Sequence, residues 1–123
     1  MDEAKELIYD ALAMAALTHH WHLTVTGPGS YAAHVVLGDI YQYCHEIADT
    51  LGEKIQGSGE DLPSARKAIS IPFQAFEIRA VCRTIEAFAK NFEEVDGPPW
   101  LTNLAQEIQG TLYGHLYKLK RLS

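Results

Sequence analysis

The sequence has little of what would mark several large classes of protein. Its 123 residues include only two cysteines, Cys44 and Cys82, far apart and each on an apolar helical stretch. A disulfide scaffold or a CxxC metal knuckle is therefore not its organising principle, and buried free thiols in a reducing compartment are the expectation. No apolar run is long enough to span a bilayer, which takes roughly twenty residues; Ala11 to Leu17 is a short run with polar neighbours. Glycine-rich phosphate loops, a GxSxG elbow, internal repeats and low-complexity tracts are all absent. Positive charge is scarce as well. Ten Lys and Arg against sixteen Asp and Glu leave a net charge of −6, which disfavours a surface dominated by phosphate binding and suits attraction of cations. The acidic opening, MDEAKELIYD, lacks the positive segment of a secretory signal. The expectation is a cytoplasmic protein, of a bacterium or of an infected host, with no membrane association.

What the chain does contain is helical periodicity. With 47% hydrophobic residues, it has the size of one compact domain able to bury a real core. Asp2 and Glu3 place negative charge where a helix start favours it, and Ala4, Leu7, Ile8, Ala11, Ala15 and Thr18 recur at helical spacing, predicting a first helix from about Asp2 to Leu23. Gly27-Pro28-Gly29 makes a turn, and a second helix follows from Ser30, as N-cap, to Gly57. A polar connection, with a short helical turn after Pro63, leads to a third helix from about Pro72 to Val95 on an apolar face that includes Phe73, Phe76, Val81, Ile85 and Phe88. Asp96-Gly97-Pro98-Pro99 breaks the chain before a fourth helix, whose stripe runs through Leu101, Ala105, Ile108, Leu112 and Leu116 and which ends in Lys118, Lys120 and Arg121. Nothing reads as a strand. The fold class is all-α, and the long crossing between the second and third helices describes a ferritin-like four-helix bundle better than a simple up-and-down one.

The second helix carries an unusual stripe. At 100° per residue His34, Gly38, Tyr41, His45 and Asp49 share one face, with Glu53 at its edge. His34 and Asp49 are separated by roughly 22 Å at the helical rise, whereas a metal ion reaches its ligands at about 2 Å. One copy cannot bring both to one ion. Two copies packed antiparallel across a twofold axis would set His34 of one against Asp49 and Glu53 of the other.

These residues carry a family resemblance. The end of the first helix, His20-Trp21, is followed by Gly27-Pro28, Tyr31-x-x-His34, Tyr41, Asp49 and, four residues on, Glu53. Over about Thr18 to Gly57 the sequence resembles the miniferritin branch of the ferritin superfamily, the DNA-binding proteins from starved cells. It is also similar to short phage-encoded ferritin-like proteins. The resemblance implies a hollow homo-oligomer, at least a twofold dimer and in the family a dodecamer, that binds and oxidises ferrous iron between twofold-related subunits. It implies ligands His20 and His34 from one subunit and Asp49 and Glu53 from its partner, with iron as the metal and manganese or zinc as other ions for such a donor set. Two departures stand out. Where the family has an Asp four residues after the second His, this chain has Gly38. His20 fits the His-Trp pair but not the twelve-residue spacing to His34, which His22 has, so His22 is the alternative ligand. The Glu-x-x-His pairs of larger ferritins are absent. His45 is placed to support a ligand, while His19 is expected to pack or to face solvent, and His115, Trp21 and Trp100 to serve packing. DNA binding, which the family name suggests, would rest on Lys118, Lys120 and Arg121 alone.

Overall fold

A computed structural model describes residues 1–64, 66 and 71–122. Among the described residues there are four α-helices and no strand: α1 (Asp2–Thr24), α2 (Ser30–Gly57), α3 (Ile78–Lys90) and α4 (Pro99–Lys120), with one 3-10 turn at Asn91–Glu94. The apolar stripes read from the sequence in the first, third and fourth helices share a single core with an apolar face of α2. Leu7, Ala11, Ala15 and Trp21 of α1, Leu37, Ile40 and Leu51 of α2, Val81 and Ile85 of α3, and Leu112 and Leu116 of α4 are all buried. Each large aliphatic side chain in that set contributes about 1.5–3 kcal/mol by leaving water. Both thiols are buried and free, and burial pushes Cys44 up to about 12, so it stays a thiol rather than a nucleophilic thiolate.

The joints explain where the helices start and stop. Ser30 N–H donates to Gly27 O at 3.0 Å, with Pro28 and Gly29 as the central residues of the turn and Gly29 at φ 77°, ψ 4°. That is a type II turn, whose third position calls for glycine. Gly29 is accordingly the N-cap, and Ser30, expected to cap, is the first helical residue with no side-chain cap bond. At the other end Glu60 N–H donates to Ile55 O at 3.3 Å and Gly59 N–H to Gln56 O at 3.1 Å, the paired bonds of a Schellman ending.

The third helix differs from expectation: it begins at Ile78, six residues after Pro72. Glu77 is extended and its carboxylate accepts from Arg79 N–H at 3.1 Å and Ala80 N–H at 2.9 Å. That cap supplies partners to two otherwise orphan donors and fixes the start. The residues before it are held in another way, because the buried Trp21 donates its indole N–H to Gln74 O at 2.9 Å. Phe73, assigned to the apolar face by period alone, is 59% exposed. The helical turn expected after Pro63 does not include Pro63 or Ser64 and otherwise falls mainly on residues outside those described.

Contacts between residues far apart in sequence order the helices. Lys5 pairs with Glu60 at 3.6 Å, so α2 ends beside the start of α1. From there Arg66 binds both carboxylate oxygens of Glu6, at 2.9 and 2.8 Å, and lies over the Tyr9 ring. Further on, Phe73 and Gln74 meet His20 and Trp21 near the far end of α1. Ile78 then shares a cleft with Val25, Pro28 and Ala33 at the α1–α2 turn, and Asp96, beyond α3, accepts from the main-chain nitrogen of Met1 at 2.9 Å. The described residues of the connection between α2 and α3 thus meet α1 first near its start and then near its end, and α2 and α3 point the same way. Helix α4 returns to the turn, where Leu122 closes the same cleft.

Candidate metal-binding face

The last turn of α1 leaves carbonyls without helical partners. Trp21 O accepts from Val25 N–H at 3.0 Å. His22 O is met by a side chain instead: His34 Nδ1 lies 2.7 Å away. The arrangement is reciprocal, with His22 Nδ1 2.6 Å from His34 O. A carbonyl oxygen only accepts, so each Nδ1 must carry a proton. In their neutral forms both imidazoles are therefore Nδ1–H tautomers, and each keeps a lone pair on Nε2. The rings stack, with centroids 3.7 Å apart and planes 16° from parallel. Both residues are half-buried.

Gly38 lies beneath this pair. A Cβ built at that position would be 3.1 Å from Cε1 and 3.3 Å from Nδ1 of His22. The position at which the miniferritin pattern has a carboxylate is here a bare stretch of α2 covered by the His22 ring. Tyr41, one turn on, has its ring 5.4 Å from His22 and stacks on His19 at 4.0 Å and 2°. His19 is exposed.

The structure brings His22, not His20, to His34. Two residues on a helix point about 200° apart, and His20 lies on the side of α1 covered by the connection, its ring 5.1 Å from Phe73. Asp49 and Glu53 are exposed and one turn apart. Because α2 is one unbroken helix over Ser30–Gly57, Asp49 stands roughly 22 Å from His34 along it. Among the described residues neither carboxylate has an ion pair or hydrogen bond, and no three His, Cys, Asp or Glu side chains gather closely enough to hold a metal within the chain. His45 is exposed on the same face.

Sequence reasoning missed the reciprocal histidine pair, although a signal for it was present. His22 and His34 are equidistant from Pro28, and a helical hairpin sets residues equidistant from its turn opposite one another. The other singled-out residues lie elsewhere. His115 of α4 is half-buried beside Tyr43, ring centroids 5.8 Å apart, and its Nδ1 is buried without a partner among the described residues. Burial, and then the Lys118 charge, hold its pKa below the usual histidine value, with Asp39 opposing. Trp21 is fully buried, whereas Trp100 is 37% exposed. Of the basic cluster, Lys120 lies 3.3 Å from Glu86 and Arg121 sits over the Tyr117 ring. No described helix is long and apolar enough to cross a membrane.

The chain matches no protein-family model, no curated protein and no solved structure.

Proposed function

We propose that this protein is a ferritin-like, miniferritin-type homo-oligomer that binds ferrous iron between twofold-related subunits and promotes its oxidation. His22 and His34 of one subunit and Asp49 and Glu53 of the other are the ligands. The long connection, whose described residues meet α1 first near its start and then near its end, leaves α2 and α3 pointing the same way and supports the ferritin-like reading, since one long crossover is the mark of that bundle. The observation that carries the site is the pair of imidazoles whose Nδ1–H groups are both held on main-chain carbonyls. Metal-binding histidines are characteristically oriented in this way by a partner on the other ring nitrogen, which leaves a lone pair ready for a cation. Asp49 and Glu53, without a partner among the described residues and too far along α2 to join their own His34, supply the complementary half. Mixed imidazole and carboxylate donors suit iron, and manganese or zinc would compete for the same set.

In this reading the histidines hold the cation, the acidic face raises its local concentration, and an outside oxidant takes the electron that ferrous iron loses. His20, turned toward the connection, takes no part. Iron is the substrate, and a hollow shell of such dimers is where its oxidised form would collect. A competing reading, a ferritin-like assembly that binds no metal, gains from Gly38, where the family pattern has a further carboxylate.

Aerobic ferrous titration separates the two. The protein is expected to oxidise ferrous iron faster than buffer, and His34→Ala and Asp49→Ala are each expected to return the rate to that of buffer. Oxidation no faster than buffer, and insensitive to Asp49→Ala, overturns the ferroxidase and leaves the metal-free assembly. DNA binding receives less support, because Lys120 and Arg121 already engage Glu86 and Tyr117 of their own chain.

A further inference from the structure

The seating of His22 depends on a residue that has no side chain. At Gly38 a Cβ would lie 3.1 Å from Cε1 and 3.3 Å from Nδ1 of His22, closer than a methyl group and an aromatic ring normally approach. The ring has little room to retreat. Its Nδ1 is held 2.6 Å from His34 O, it stacks on the His34 ring with centroids 3.7 Å apart, and the Tyr41 ring stands 5.4 Å away. Glycine inside a helix is otherwise unfavourable compared with alanine, and Gly38 is buried in an unbroken helix with no positive φ. Backbone conformation therefore does not call for glycine here; the imidazole does.

We infer that Gly38 is a positioning residue: by lacking a side chain it lets the Cε1–Nδ1 edge of the His22 imidazole come close against α2 in the Nδ1–H tautomer, with Nε2 free to bind a transition-metal cation. This rests on the metal-binding reading above. It also recasts the departure from the miniferritin pattern. The pattern has a carboxylate at this position as well as a histidine at the spacing of His22; this chain keeps the histidine and lacks the carboxylate, so its site is richer in nitrogen. Nitrogen-rich sets shift preference toward cations such as cobalt, nickel and zinc relative to manganese.

The test uses the full-length protein and cobalt(II) alone as the probe. In the metal-free wild type, long-range nitrogen–proton NMR is expected to find His22 as the Nδ1–H tautomer. In Gly38→Ala the His22 signal is expected to move toward the Nε2–H form favoured by unconstrained imidazole. Cobalt affinity should fall about 10- to 100-fold, the usual consequence of disturbing a group that orients a ligand. Thermal stability should change little, because the better helix propensity of alanine offsets the lost bond to His34 O. That opposition, weaker binding in an equally stable protein, is one a merely structural role does not produce. A double-mutant cycle completes the test: in a His22→Ala background, Gly38→Ala should leave cobalt affinity unchanged. If Gly38→Ala keeps both the wild-type tautomer and the wild-type affinity, or weakens binding equally without His22, the inference is overturned. Failure of wild-type protein to bind cobalt sinks the metal-site reading instead. The positioning claim is then decided by the tautomer: wild type and variant alike overturns it, a shift in the variant sustains it.

Discussion

Single side chains set how this molecule answers to pH. His115 is the clearest case, because its Nδ1 is buried without a partner among the described residues and burial holds its pKa below the ordinary value of 6.5. A histidine with a lowered native pKa takes up protons in the unfolded chain before it does in the folded one. Its contribution to stability is therefore complete above about pH 6.5 and is lost as pH falls through the native value. Urea midpoints taken from about pH 7.5 to 5 should drop in the wild type and drop less in His115→Gln, the other five histidines being common to both. Equal slopes for the two proteins would show that His115 is not strained by burial. Trp21 illustrates a different lesson. Its packing role was read from the sequence, but its indole N–H also fixes Gln74 O from 53 positions away, a bond that no local pattern announces.

At the level of elements, caps and turns decide what periodicity leaves open. The apolar period ran on from Phe73 into α3, yet the helix begins at Ile78 because the Glu77 carboxylate takes the Arg79 and Ala80 N–H groups. Period counts side chains; it does not detect where the backbone finds its first partner. The α1–α2 turn was legible because Gly-Pro-Gly has few conformations, and Gly29 at φ 77° is the position that glycine alone takes without strain. Gly29→Ala should cost about 1–2 kcal/mol, the penalty for a side chain in the left-handed region, read as a lower urea midpoint with an unchanged slope. Because that turn also holds His22 opposite His34, the same variant should weaken cobalt binding, in contrast to Gly38→Ala, which weakens binding without loss of stability.

At the scale of the whole molecule, the proposed site belongs to two chains, and this has a consequence that a site within one chain would not share. His34→Ala and Asp49→Ala proteins should each fail to oxidise ferrous iron. Co-expressed, they should regain about a quarter of wild-type activity. Half of randomly paired twofold dimers are mixed, and each mixed dimer has one intact site of its two. The measurement is ferrous oxidation by the co-expressed pair after its composition is checked by mass, with the mass in solution also expected to be a multiple of the 13.7 kDa chain. A co-expressed pair as inactive as either parent would place the residues in separate roles.

The amino-acid order by itself determined the helical class, the α1–α2 hairpin, the ends of α2 and the facing of the core, because these follow from spacing along one chain and from the few conformations open to glycine and proline. It also determined that His34 and Asp49 cannot share an ion in one copy, since the rise of a helix is fixed. Only the tertiary structure decided which histidine meets His34, where α3 starts and why position 38 is glycine. Those depend on atoms brought together across the fold: an imidazole against a carbonyl, a carboxylate against two amides, and a ring lying where a Cβ would have to be.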